Sequence, residues 1–227
     1  GTSLVADIYS GPSGSQPRNL VEFLGQLYFA ADYRGVADDA TGRELLRSDG
    51  TAAGTGLVAD INFDPPANEP ESPITRWCDP QELTVSGSRL FFSADGGVAN
   101  GDAGRELWAT DGTSVSLVSD IRSGSNGSTP TNLTDVNGVL YFSANNGSVG
   151  FEPFRSEGTS ATTSLVANIN GGNASSNPSG FMQAGSLVYF SAFDNDTGVE
   201  LYVTDGTSAG TSLVADLQVG ISPSDPV

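Results

Sequence analysis

Oxygen-bearing side chains recur at alternate positions ahead of a glycine and a glutamate, most fully in Asp194-x-Asp196-x-Gly198-x-Glu200 and Asn100-x-Asp102-x-Gly104-x-Glu106. Sparser versions stand at Asp38, Gly42 and Glu44 and at Asn146, Gly150 and Glu152. Alternating oxygen ligands, a glycine turn and a closing carboxylate suit a hard cation such as Ca2+, because the turn aims side chains and carbonyls at one centre. On this reading Asp194, Asp196, Glu200, Asn100, Asp102 and Glu106 are the candidate metal ligands and Ca2+ the candidate cofactor. The same residue types also build any tight hairpin loop, and spacing alone leaves both readings open.

The repeated glutamate is followed five residues later by a second acid: Asp49, Asp111, Glu157 and Asp205 in turn. Two carboxylates at a fixed separation can cleave a glycosidic bond. An active site needs its groups once, at one converging place, whereas these acids recur in every unit. That favours a structural device, with the Asp capping a turn and the Glu hydrogen-bonding to backbone between units. The absence of His excludes a Ser-His-Asp triad, and a single Cys cannot make a thiolate zinc cluster. No phosphate-binding loop or dinucleotide fingerprint follows a strand. The expectation is a non-enzymatic chain without catalytic residues.

With 27 acidic residues against 9 basic ones the formal charge is -18. Nucleic-acid binding requires a basic surface to neutralise phosphates, so it is excluded, and anionic membrane surfaces with it. No apolar run is long enough to insert into a membrane. Cys78 has no internal partner and is a free thiol or a candidate for an intermolecular disulfide. Five Asn-x-Ser/Thr sites, at Asn126, Asn132, Asn146, Asn173 and Asn195, would carry sugars in a eukaryotic secretory pathway.

These residues sit in a repeating frame. Leu4-Val5-Ala6-Asp7-Ile8 returns at 57–61, 117–121, 165–169 and 213–217, and the last two steps are 48 residues each. Each unit opens with a proline three residues ahead of a large apolar side chain: Pro17 and Leu20, Pro80 and Leu83, Pro130 and Leu133, Pro178 and Phe181. A glycine-containing turn follows, best formed at Asn137-Gly138. Next come the runs Leu27-Tyr28-Phe29, Leu90-Phe91-Phe92, Leu140-Tyr141-Phe142 and Val188-Tyr189-Phe190, which fit a strand covered on both faces. The glutamate strand, an Asp-Gly-Thr turn and the Leu-Val-Ala-Asp-Ile strand complete the unit. Four short antiparallel strands per 48 residues predict an all-β chain of tandem four-stranded blades, propeller-like and part of a larger ring or array.

The predicted plan is one repeat domain over 1–227. Residues 1–8 form the closing strand of a preceding unit, 9–61 unit 1, 62–121 unit 2, 122–169 unit 3, 170–217 unit 4, and 218–227 a tail or the start of a further unit. Unit 2 carries a proline-rich insertion at 64–79, where Trp77 either plugs the loop against its blade or offers a contact point. The closing strand occurs once more than four units need. This predicts either an excerpt of a longer repeat protein or a strand given to a neighbouring molecule.

Glu106-Leu107-Trp108-Ala109-Thr110-Asp111-Gly112-Thr113 and Glu200-Leu201-Tyr202-Val203-Thr204-Asp205-Gly206-Thr207 resemble the ELWxxDGT repeat family of secreted and surface proteins. The resemblance covers nearly the whole chain, with departures at Leu46, Phe154 and Glu157. It implies a propeller-like fold and an extracellular or cell-surface setting. The expected function is a structural or adhesive module whose partners are neighbouring repeat units or copies of itself. The alternatives are a calcium-dependent, lectin-like binder of glycans or proteins, using Trp108 and Tyr202 near the acidic loops, and a glycoside-hydrolase-like propeller.

Overall fold

The computed structural model describes residues 1–10, 12–33, 42–62, 78–97, 101 and 103–216. Among the described residues it is all-β apart from one short 3-10 turn, Ser160–Thr162. Among the described residues no helix is long and apolar enough to cross a membrane.

Among the described residues sixteen strands fall into four four-stranded antiparallel sheets, each a meander in chain order. Blade 1 comprises β1 (Arg18–Phe23), β2 (Gln26–Asp32), β3 (Arg43–Ser48) and β4 (Gly56–Ala59). Blade 2 holds β5 (Gln81–Ser86), β6 (Arg89–Asp95), β7 (Arg105–Thr110) and β8 (Val115–Ser119). Blade 3 holds β9 (Thr131–Val136), β10 (Val139–Asn145), β11 (Phe151–Ser156) and β12 (Ser164–Leu165). Blade 4 holds β13 (Ser179–Ala184), β14 (Leu187–Asp194), β15 (Gly198–Thr204) and β16 (Ser212–Ala215). Residues 1–8 make no strand within the chain, and Leu4 and Val5 are exposed.

The continuous apolar runs are explained by burial on both faces. In β6, Leu90, Phe92 and Ala94 point one way and share a core with Tyr28 and Leu45 of blade 1. Phe91, between them, points the other way and packs with Leu140, Phe142 and Ala144 of blade 3. Blade 3 repeats the device, sending Tyr141 into a core with Val188, Phe190 and Ala192 of blade 4. Every blade thus has a front row, Leu-x-Phe-x-Ala or its equivalent, and the back rows of blades 1, 2 and 3 receive the next blade. The Trp position faces front as well: Trp108 lies in the blade 1–2 core, Phe154 in the blade 2–3 core and Tyr202 in the blade 3–4 core.

Glycines of the Asp-Gly-Thr turns fit the same geometry. Gly112 has φ of +90° and a Cβ there would meet Leu24 and Tyr28 of blade 1. Gly158 and Gly206 press on Arg89 and Phe91 of blade 2 and on Arg155 and Tyr141 of blade 3. A left-handed turn that also touches the neighbouring blade leaves no room for a side chain.

Candidate functional site

The glutamates of the sequence pattern lie near the start of the third strand of each blade: Glu44 on β3, Glu106 on β7, Glu152 on β11 and Glu200 on β15. All four are fully or almost fully buried. A buried carboxylate is costly unless it is paired or fully hydrogen-bonded, so its partners show its role.

Glu106 receives its partners from the segment that leads into blade 3. One oxygen accepts from the Arg122 amide at 3.0 Å and the Ser128 amide at 2.8 Å; the other accepts from the Ile121 amide at 3.2 Å and from the Ser128 hydroxyl. Glu152 does the same toward blade 4, taking the Ile169 amide at 2.9 Å, the Ser176 amide at 3.0 Å and the Ser176 hydroxyl at 2.7 Å. Glu44 accepts from the Cys78 thiol at 2.8 Å and from the Ile61 and Cys78 amides. Burial pushes Glu44 and Glu106 up to about 7 against the pull of these donors, and raises Glu152 as well.

Each donor residue stands two positions before the proline of the next unit: Cys78 before Pro80, Ser128 before Pro130, Ser176 before Pro178. The residue between them, Asp79, Thr129 or Asn177, is held at φ between 40° and 49°. Its amide donates back to the preceding third strand, at Arg43, Arg105 and Phe151 respectively. A non-glycine residue in the left-handed region is uncommon, and here these bonds hold it there. This Ser/Cys column escaped the sequence reading, although its fixed distance from each proline was visible. It remained silent because its partner glutamate belongs to the preceding unit.

Further ties reinforce the junctions. Asn19 donates to the Pro80 carbonyl at 3.2 Å, Asn132 to the Pro178 carbonyl at 3.1 Å, and Glu82 accepts from the Leu133 amide at 3.3 Å. Asp79 lies between Arg43 of blade 1 and Arg105 of blade 2, at 3.6 and 3.5 Å.

The structure changes several expectations. Glu106, expected to close a loop around a cation, instead spends both oxygens on the junction with blade 3. Asn100, Asp102 and Asp38 lie outside the described residues. Asp194 accepts from the Asp196 amide at 2.7 Å, which is turn chemistry, and Glu200 is buried. Among the described residues no three acidic or thiol side chains converge as a metal site. Cys78, expected as a free thiol or an intermolecular bridge, is free and completely buried, so it offers no surface sulfur for a bridge. Burial together with the Glu44 charge raises its thiol well above the ordinary range. Trp77 and most of the insertion at 64–79 lie outside the described residues.

The aspartates of Asp-Gly-Thr cap turns. Asp49, Asp111 and Asp205 each accept from the amide and hydroxyl of the threonine two residues on, at 2.6 to 2.9 Å. These bonds hold all three carboxyls below their usual range. Trp108 and Tyr202, the aromatics a lectin reading would place against sugar, are buried between blades. Of the sequons, Asn126, Asn132, Asn173 and Asn195 are exposed. Asn146 is half-buried and its carbonyl holds its own turn, while Asn132 is engaged with Pro178.

Fold and site together define a propeller-like repeat protein whose repeated acids join blade to blade. No protein-family model matches the chain, and no curated protein matches it by sequence. Solved structures do resemble it. Acylaminoacyl peptidase of Pyrococcus horikoshii matches at 12% identity and a TM-score of 0.53, over 87% of this chain and 26% of the peptidase. An acylaminoacyl peptidase complexed with a chloromethyl ketone matches at 11% and 0.53, over 87% and 26%. One of two prolyl endopeptidases matches at 12% and 0.51, over 88% and 26%. The chain spans about a quarter of the length of these proteins, and at such identities the likeness concerns the fold alone.

Proposed function

We propose that the chain is a non-enzymatic, extracellular structural module that supports self-assembly or surface contacts. The observation that carries this reading is the use of the repeated glutamate: Glu44, Glu106 and Glu152 each bind backbone and a Ser or Cys of the following unit. A carboxylate whose oxygens are occupied by structural donors is not poised to exchange protons with a substrate. The resemblance to the ELWxxDGT repeats supports a secreted or surface setting, and the exposed Asn126, Asn173 and Asn195 suit it. The blades supply stiffness, because successive blades share a packed core and blades 2 and 3 are covered on both faces.

Beads coated with the chain test the proposal, alongside a panel of glycoside and peptide substrates. Clustering of the beads with no turnover is the expected result. Dispersed beads, or hydrolysis that survives repurification, would overturn the reading.

A further inference from the structure

The two outer faces of the blade row match each other in the way that the inner faces already do. On the front of blade 1, Leu20 is 60% exposed, whereas its counterpart Leu133 is 8% exposed against blade 2. Gly50 has φ of +89° with open space where a Cβ would point, whereas Gly112, Gly158 and Gly206 at the same turn press on a preceding blade. Gln16 holds φ of 45°, the conformation that Asp79, Thr129 and Asn177 adopt to bond a preceding blade. Ile8 already lies on the front core of blade 1, as Ile61 does in the blade 1–2 core. On the back of blade 4, Val214 is 46% exposed, whereas its counterpart Val166 is 1% exposed in the blade 3–4 core. Met182 is exposed there, and Tyr189 is only half-buried where Tyr28, Phe91 and Tyr141 are buried.

Three internal junctions therefore specify what fits each outer face: a back row for the front of blade 1, and a front row for the back of blade 4. We infer that the front of blade 1 in one copy docks on the back of blade 4 in a second copy, head to tail. Gly50 of one copy then comes over Tyr189 of the other, as Gly112 does over Tyr28. Such a heterologous contact leaves one free front and one free back, so it propagates into closed rings or open filaments. The inference rests on the proposed assembly role and names the surface that performs it.

Sedimentation velocity on the 227-residue chain, with Leu20→Arg blocking the front and Val214→Arg blocking the back, tests the contact. Both positions are exposed, and circular dichroism should show an unchanged fold. The wild type is expected to self-associate with concentration, and each variant alone to weaken association at least about tenfold, as loss of a central contact does. An equimolar mixture of the two variants restores one good interface and should stop at a dimer. Association of either variant with itself at the wild-type level, or a wild type that stays monomeric, would overturn the contact. The bead assay separates the two ideas. Clustering that persists with both variants defeats this interface and spares the assembly role, whereas wild-type beads that never cluster defeat the assembly role itself.

Discussion

Cys78 donates its thiol to Glu44 at 2.8 Å in the place where Ser176 donates a hydroxyl to Glu152 at 2.7 Å. One junction of the row thus uses sulfur where the others use oxygen. A hydroxyl is the stronger donor, so Cys78→Ser should leave stability unchanged or slightly raised. Cys78→Ala should cost about 1–3 kcal/mol, because it strips a donor from a buried carboxylate. Urea denaturation followed by fluorescence measures both.

Glu106 faces four donors and no acceptor. Glu106→Ala leaves these four donors without their acceptor, so it should destabilise by about 2–3 kcal/mol. If urea curves of the variant and the parent superimpose, Glu106 does not tie the blades.

The response to pH follows from the same glutamates. Glu44 and Glu106 rise from 4.5 to about 7 on folding, so the folded chain keeps protons that the unfolded chain releases. Their contribution is full below about 4.5 and is lost as pH rises toward 7. The turn aspartates act in the opposite sense. Asp49, Asp111 and Asp205 are lowered from 3.8, so what they add is present above that value and lost in stronger acid. Melting temperature should therefore climb as pH falls from 8 to about 5 and drop again below about 4. Self-repulsion from a formal charge of -18 pushes in the same direction on the alkaline side. Glu106→Gln should flatten the climb, which thermal scans across buffers will register.

Two glycines of one connecting segment separate backbone strain from blade contact. Gly124 has φ of +91° and open space, whereas a Cβ on Gly127, at φ of +58°, would strike the Arg105 backbone at 2.3 Å. Gly124→Ala should cost about 1 kcal/mol for the left-handed conformation alone. Gly127→Ala should cost about 3 kcal/mol or more, since backbone of the preceding blade has to move. Equal losses for both in chemical denaturation would contradict the close approach.

Much of the architecture was legible in the residues because it is local. Alternation along Leu90-Phe91-Phe92 reports two covered faces within one strand, and Asn137-Gly138 reports a turn within two residues. The recurrence of both every 48 residues was enough to read tandem blades. The chemistry of the acids was not legible in the same way. A glutamate after Asn100-x-Asp102-x-Gly104 reads equally as a cation ligand and as a buried tie.

By itself, then, the sequence determined the strands, their order in each unit and the column of acids, because each depends on neighbours a few bonds away. Only the tertiary structure decided that Glu106 turns to Ser128, and that Cys78 lies buried against Glu44. Those partners are 22 and 34 residues apart, and they meet because one blade's third strand lies beside the segment that leads into the next.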